Sequence, residues 1–186
     1  MTTNGPILEV QNLKTYFYLD DGVVRAVDDV SFEMDRGTVL GIVGESGCGK
    51  SVLARSIMRI VRPPGESFEG QIIYNRSLTT GSADAGANSI DLRELSIDGP
   101  EMREIRGSEL AMVFQEPMVS FSPVHTVGAQ IIEAILLHQE VDKEGAREQA
   151  IELLRKVGIP EPERNVDEYS FNLSGGMRQR CMIAMA

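Results

Sequence analysis

An apolar run, Thr38-Val39-Leu40-Gly41-Ile42-Val43, passes without a spacer into Gly44-Glu45-Ser46-Gly47-Cys48-Gly49-Lys50-Ser51, and that octet leads straight into a helical pattern. Strand, glycine-rich loop and helix in this order predict an α/β core, with the strand buried in a sheet. The octet fills every fixed position of G-x-x-x-x-G-K-S, in the context that gives the pattern a mechanism. Its glycines let the backbone curl, so that N–H groups point inward at a di- or triphosphate. The helix starting near Lys50 and Ser51 turns its positive end toward the same anion. Lys50 is placed to reach the β- and γ-phosphates, and the Ser51 hydroxyl to take a place on Mg²⁺. The bland alternative is a glycine-rich turn between a strand and a helix. With all fixed positions filled, the octet Gly44, Glu45, Ser46, Gly47, Cys48, Gly49, Lys50 and Ser51 reads instead as a nucleoside triphosphate site.

The 186 residues suit one domain with a sizeable core and room for a smaller subdomain. No apolar stretch approaches the roughly 20 residues that span a bilayer, and the start is polar, which predicts a cytoplasmic chain. A formal net charge of −10 argues against a nucleic-acid partner, which wants a basic face. Two cysteines, Cys48 and Cys181, give neither a disulfide framework nor metal-ligand spacing.

The chain before residue 44 reads as strands: Ile7–Val10, Lys14–Tyr18, Val23–Val27, Val30–Met34 and Thr38–Val43, with a turn at Asp20-Asp21-Gly22. Strands without intervening helices suggest an antiparallel layer beside the α/β core. Val52, Leu53, Ser56, Ile57 and Ile60 keep helical spacing until Pro63-Pro64-Gly65. Glu69–Tyr74 is a further strand, and residues 75–89 read as an exposed loop rich in small polar residues. A short helix over Glu101–Ile105 precedes a buried strand, Leu110–Phe114. From Glu116 the pattern is helical: Val127, Ile131, Ala134, Ile135 and His138 share one face, and Ala146, Ala150, Leu154 and Val157 another.

A second motif narrows the function. Leu173-Ser174-Gly175-Gly176-Met177-Arg178-Gln179-Arg180 opens a helix on Ser-Gly-Gly, another backbone cradle for an anion; the plain alternative is a serine N-cap followed by flexible glycines. The stretch resembles the LSGGQ signature of ABC-transporter ATPase subunits, with Met177 at the usual Gln position. The resemblance implies that Ser174, Gly175 and Gly176 hold a phosphate of the ATP seated on a partner subunit's phosphate loop. Phe114-Gln115-Glu116-Pro117 is similar to the family's Q-loop, which implies that Gln115 contacts Mg²⁺ and the attacking water. Phe17 lies where the family stacks an aromatic ring on adenine, with Tyr16 a close second choice. Val27-Asp28-Asp29-Val30-Ser31-Phe32 resembles the strand before the phosphate loop. Gly41–Ser51, Phe114–Met118 and Pro123–Gly128 resemble the dipeptide, oligopeptide and nickel importer branch, although Phe121-Ser122 stands where Leu-Asn is usual and the loop over residues 75–89 is long.

What the resemblance implies is an ABC-type P-loop NTPase core with an antiparallel β subdomain and an inserted α-helical subdomain. The β subdomain and P-loop core would span 1–115, the helical subdomain 116–172, and the signature and the start of its helix 173–186. The implied function is an ATP-binding subunit that energises import of peptides or related solutes, with ATP and Mg²⁺ as cofactors. Implied partners are a second ATPase subunit (identical or related), two transmembrane permease subunits and, indirectly, an extracytoplasmic substrate-binding protein. The location would be the inner face of the cell membrane. The other reading is a non-transport ABC-type regulatory or interaction module without hydrolysis.

The family also needs an acidic motif after the signature helix and a switch histidine beyond it, yet residues 173–186 contain no Asp or Glu. The expectation is therefore an incomplete C-terminal part of the core, the N-terminal portion of a longer subunit. Nucleotide binding would be weakened, and hydrolysis by this stretch alone absent or slowed by about 10²–10⁴-fold or more. An unpaired apolar sheet edge would lie beside the phosphate-loop strand.

Overall fold

The computed structural model describes residues 6–76, 89–116 and 120–186. The chain divides into two compact units, residues 1–102 and 103–186.

In the first unit, β1 (Leu8–Leu19), β2 (Gly22–Met34), β3 (Gly65–Asn75) and β4 (Ser89–Asp91) form one antiparallel sheet in the order β2-β1-β3-β4. The four short strands expected over residues 7–34 are thus two long ones. Asn12 and Asp29, both at positive φ, bulge β1 and β2 against each other, and the Asn12 side-chain amide donates to Asp29 Oδ1 at 2.8 Å. A paired bulge breaks the period-two pattern without ending the strand. Leu8 and Val10 before it, and Leu13 and Thr15 after it, all end up buried.

Helix α1 (Lys50–Ile57) packs on β1 and β2. A buried hydroxyl pair joins helix to sheet, Thr15 Oγ1 to Ser56 Oγ at 2.8 Å. Ser56 spends its single hydrogen on the Val52 carbonyl, so Thr15 is the donor to Ser56. The helix stops at Ile57, short of the expected Ile60, because Arg59 turns the chain at φ +55°.

Two expected strands are corrected. Thr38–Val43 and Leu110–Phe114 are not strands, because a strand needs a neighbour to complete its hydrogen-bond ladder and no described residue pairs with either stretch as a strand. Val39 and Val43 are 98% and 93% exposed, so this stretch is apolar and uncovered among the described residues. The loop expected over residues 75–89, and Pro117 and Met118 of the Q-loop resemblance, lie mostly or wholly outside the described residues.

Helix α2 (Pro100–Ser108) covers the expected Glu101–Ile105 turn and breaks at Arg106 and Gly107. The second unit is helical: α3 (Val127–His138), α4 (Lys143–Lys156), α5 (Pro162–Asn165), a 3₁₀ turn (Ser170–Asn172) and α6 (Gly175–Met185). Thr126 caps α3 by accepting from the Ala129 amide at 3.1 Å, and Asp142 caps α4 by accepting from Gly145 at 2.8 Å. Each such cap is worth about 1 kcal/mol. Ile131 and Ile135 of α3, Ala146, Ala150 and Leu154 of α4, and Cys181 and Met182 of α6 meet in one core. Of the two faces expected from spacing, Val127, Ile131, Ile135, Ala146, Ala150 and Leu154 are buried, Ala134 and Val157 are half-buried, and His138 is exposed where the helix ends.

Candidate functional site

The octet Gly44–Ser51 wraps back against β2. Gly47 and Gly49 have φ of +84° and +94°, values that residues with a side chain rarely adopt. A Cβ on Gly49 would also lie 2.0 Å from the Ala26 carbonyl oxygen of β2. Gly49 is therefore required twice, by backbone angle and by crowding. It is also the N-cap of α1 and offers no side-chain acceptor, so the first-turn N–H groups are not capped by it. No acidic residue occupies that turn. The Lys50 ammonium folds over the loop and donates to the carbonyl oxygens of Gly44 at 2.7 Å and Glu45 at 2.6 Å, with Cys48 Sγ at 3.4 Å. Exposed Ser51 follows on the same first turn. The loop thus carries a cation, an uncapped helix start and an exposed hydroxyl within eight residues, groups of the kind a phosphate chain uses.

The geometry separates the two aromatic candidates. Tyr16 is engaged on all sides: its hydroxyl donates to Asp28 Oδ1, Phe68 meets it edge-on at 4.7 Å, and Arg25 lies over its ring at 5.5 Å. The Asp28 hydrogen bond, with desolvation second, raises the Tyr16 phenol above its usual range. Phe17 instead lies over Gly65, where an added Cβ would sit 2.6 Å from its ring. It stays half-buried and has no polar partner to satisfy.

The remaining candidates lie in the second unit. Gln115 is exposed and directly follows the non-strand Leu110–Phe114 stretch. Ser174 is the N-cap of α6, its hydroxyl accepting from the Met177 amide at 3.3 Å. Gly175 and Gly176 are exposed, have no positive φ, and an added Cβ on either would meet nothing within 4 Å. Neither backbone angle nor crowding demands glycine there, in contrast to Gly49. What the two glycines provide is an unscreened helix N-terminus that a bulky anion can approach.

Several supporting residues carry no periodic signal in the sequence. Arg178 Nη2 donates to the Phe171 carbonyl at 3.1 Å, tying the approach to Ser174 onto α6. Tyr169 and Phe171 stack beside it at 5.3 Å. Arg147 grips Asp167 with two hydrogen bonds, of 2.9 and 2.7 Å. That grip holds the Asp167 carboxyl below its usual range. Further along α6, burial pushes the Cys181 thiol up to about 11, against the opposing pull of Arg180.

Residues 27–186 match the family described as ABC transporter. A probable peptide ABC transporter ATP-binding protein, y4tR of Sinorhizobium fredii, is 46% identical over 181 residues, covering 97% of this chain and 50% of that protein. The dipeptide transport ATP-binding protein DppD of Escherichia coli is 43% identical over 180 residues, covering 97% of this chain and 50% of its own length. The chain thus spans about half the length of these curated relatives. Among solved structures, the dimeric bacterial ABC transporter cassette MJ0796 superposes with a TM-score of 0.77 at 22% identity, over 96% of this chain and 68% of that one. At that identity the likeness speaks for the fold alone.

Proposed function

We propose a function from one premise: the chain belongs to the ABC transporter family. It acts as an ATP-binding subunit that energises an importer for peptides or related small solutes. The observation that carries this reading is the presence of two different anion cradles in one chain. One is closed around Lys50 with a glycine forced at position 49, and the other is open at Gly175 and Gly176 with no structural need for glycine. A single nucleotide bound by one chain needs only the first. The second fits a phosphate presented by another subunit. The peptide and dipeptide transport names of the relatives support the cargo class, and nothing in the structure favours a non-transport module.

In this reading the amides of Gly47, Gly49 and Lys50 hold the β- and γ-phosphates. Lys50 exchanges its contacts with the Gly44 and Glu45 carbonyls for phosphate oxygens, and Phe17 supports the adenine. Ser174, Gly175 and Gly176 hold the γ-phosphate of the partner subunit's ATP, so that closure of the dimer buries both nucleotides. Ser51 and Gln115 each carry a neutral oxygen of the kind Mg²⁺ accepts, and would be the residues to hold it. Such an ion, when bound, would supply positive charge beside the phosphates. The chain itself contributes position and electrostatics. Hydrolysis further depends on an acidic residue not supplied by residues 173–186. The β subdomain and P-loop core occupy 1–115, the helical subdomain 116–172 and the signature 173–186. The location is cytoplasmic, on permease subunits; among the described residues no helix is long and apolar enough to cross a membrane.

The test is purification of the full-length protein from native membranes. Two integral membrane proteins co-purify, and vesicles containing them accumulate a peptide only with ATP inside the compartment that holds this subunit. A protein that purifies alone and supports no ATP-dependent uptake would contradict the assignment.

A further inference from the structure

The segment just before the signature is joined to the start of α3 by its backbone. The Val127 amide donates to the Glu168 carbonyl at 2.9 Å and the Gly128 amide to the Val166 carbonyl at 2.8 Å, and Thr126 and Tyr169 form an isolated antiparallel bridge. From there every step to Ser174 is held. Asn172 N donates to Tyr169 O at 3.0 Å, the Asn172 side chain donates to Glu168 at 2.7 Å, and Arg178 holds the Phe171 carbonyl. Gly128 is what lets the two stretches approach. It lies buried in α3, and a Cβ there would sit 2.3 Å from Val166 Cγ2 and 2.4 Å from the Val166 carbonyl oxygen. Rotating the Val166 side chain relieves the first contact but not the second, because the second atom is backbone.

We infer that Gly128 is a positioning residue for the signature: it seats the 166–169 segment, which in turn sets where Ser174, Gly175 and Gly176 stand. The inference rests on the proposed role of those three residues in holding a partner's ATP. Contact near 3.5 Å requires the Val166 backbone to retreat by about 1 Å when alanine replaces Gly128. A misplacement of that size at a reacting group costs on the order of 10²-fold. Gly128 is not among the residues proposed to hold nucleotide, and the phosphate loop belongs to the other unit, so first-site affinity is expected to be spared.

The experiment compares wild type, Gly128→Ala and Ala150→Gly in the full-length protein. Ala150→Gly weakens α4 on the same core without entering the joint. Measured are Mg·ATP affinity, ATP-driven dimerisation, hydrolysis rate and thermal unfolding. Gly128→Ala is expected to keep Mg·ATP affinity within about twofold while dimerisation and hydrolysis fall by roughly tenfold to 10²-fold. Ala150→Gly, at a similar loss of thermal stability, is expected to keep both within about twofold. Equal activity of Gly128→Ala and wild type overturns the inference, as does an equal loss in Ala150→Gly. If wild type binds ATP but never dimerises with it, the two-cradle reading fails, and the inference with it. Should Gly128→Ala not fold, hydrogen exchange in wild type decides: the Val127, Gly128 and Met177 amides gain protection together on dimer closure. Protection at Met177 alone overturns the inference.

Discussion

Replacing Gly49 with alanine, beside the same change at Gly47, separates what the phosphate loop owes to backbone angle from what it owes to crowding. Both glycines are left-handed, at +94° and +84°, and a non-glycine residue there costs about 1–2 kcal/mol. At Gly47 that is the whole cost, since an added Cβ meets nothing within 4 Å. At Gly49 the new carbon would stand 2.0 Å from the Ala26 carbonyl oxygen, and overpacking adds about 1–3 kcal/mol. A loop relieved of this strain must regain its shape to bind, so the cost appears in affinity. Gly47→Ala is expected to raise Kd roughly 5- to 30-fold, and Gly49→Ala roughly 30- to 5000-fold. Titration of each full-length variant with a fluorescent ATP analogue measures both, with circular dichroism confirming that β1 and β2 are intact. Equal losses in the two variants, or unchanged binding by Gly49→Ala, would refute the crowding argument.

Two further expectations concern ionisable groups. At about pH 8 a thiol-alkylating reagent should modify exposed Cys48 in the native protein, whereas Cys181, buried and with its thiol pushed up to about 11, should react only on unfolding; counting modified cysteines by mass before and after denaturation checks this. The Asp167 carboxyl lies below its ordinary value of 3.8 in the folded protein. Its pairing with Arg147 therefore stabilises fully above that value and is lost as pH falls through the lowered one. With the side chains 42% and 62% exposed, the effect is limited to about 0–1 kcal/mol. Urea midpoints at about pH 6 and about pH 3 should fall less between the two conditions in Arg147→Ala than in wild type.

What could be read from the sequence was whatever depends on local chemistry. The helix start at Lys50, the Ser174 cap and the buried positions of α3 and α4 follow from glycine placement, a capping side chain and apolar period. The failures involve partners remote in the chain. Thr38–Val43 is as apolar as a buried strand, but strand character is conferred by a neighbour, and none lies beside it among the described residues. Asn12 and Asp29 fall in the gaps between the expected short strands because a bulge reverses the period, and their mutual hydrogen bond sits in the continuous β1–β2 pairing. The Tyr16 surroundings, with Asp28, Arg25 and Phe68, likewise come from residues distant along the chain. Gly128 falls in the Pro123–Gly128 resemblance, but the need for glycine there comes from Val166, remote in the chain.

The most direct test of the phosphate-loop assignment is calorimetric titration of Mg·ATP into the full-length protein and its Lys50→Ala variant. Wild type should bind with a measurable heat, and the variant, still folded, should show no binding. Unchanged affinity in Lys50→Ala would contradict the claim that this loop holds the nucleotide.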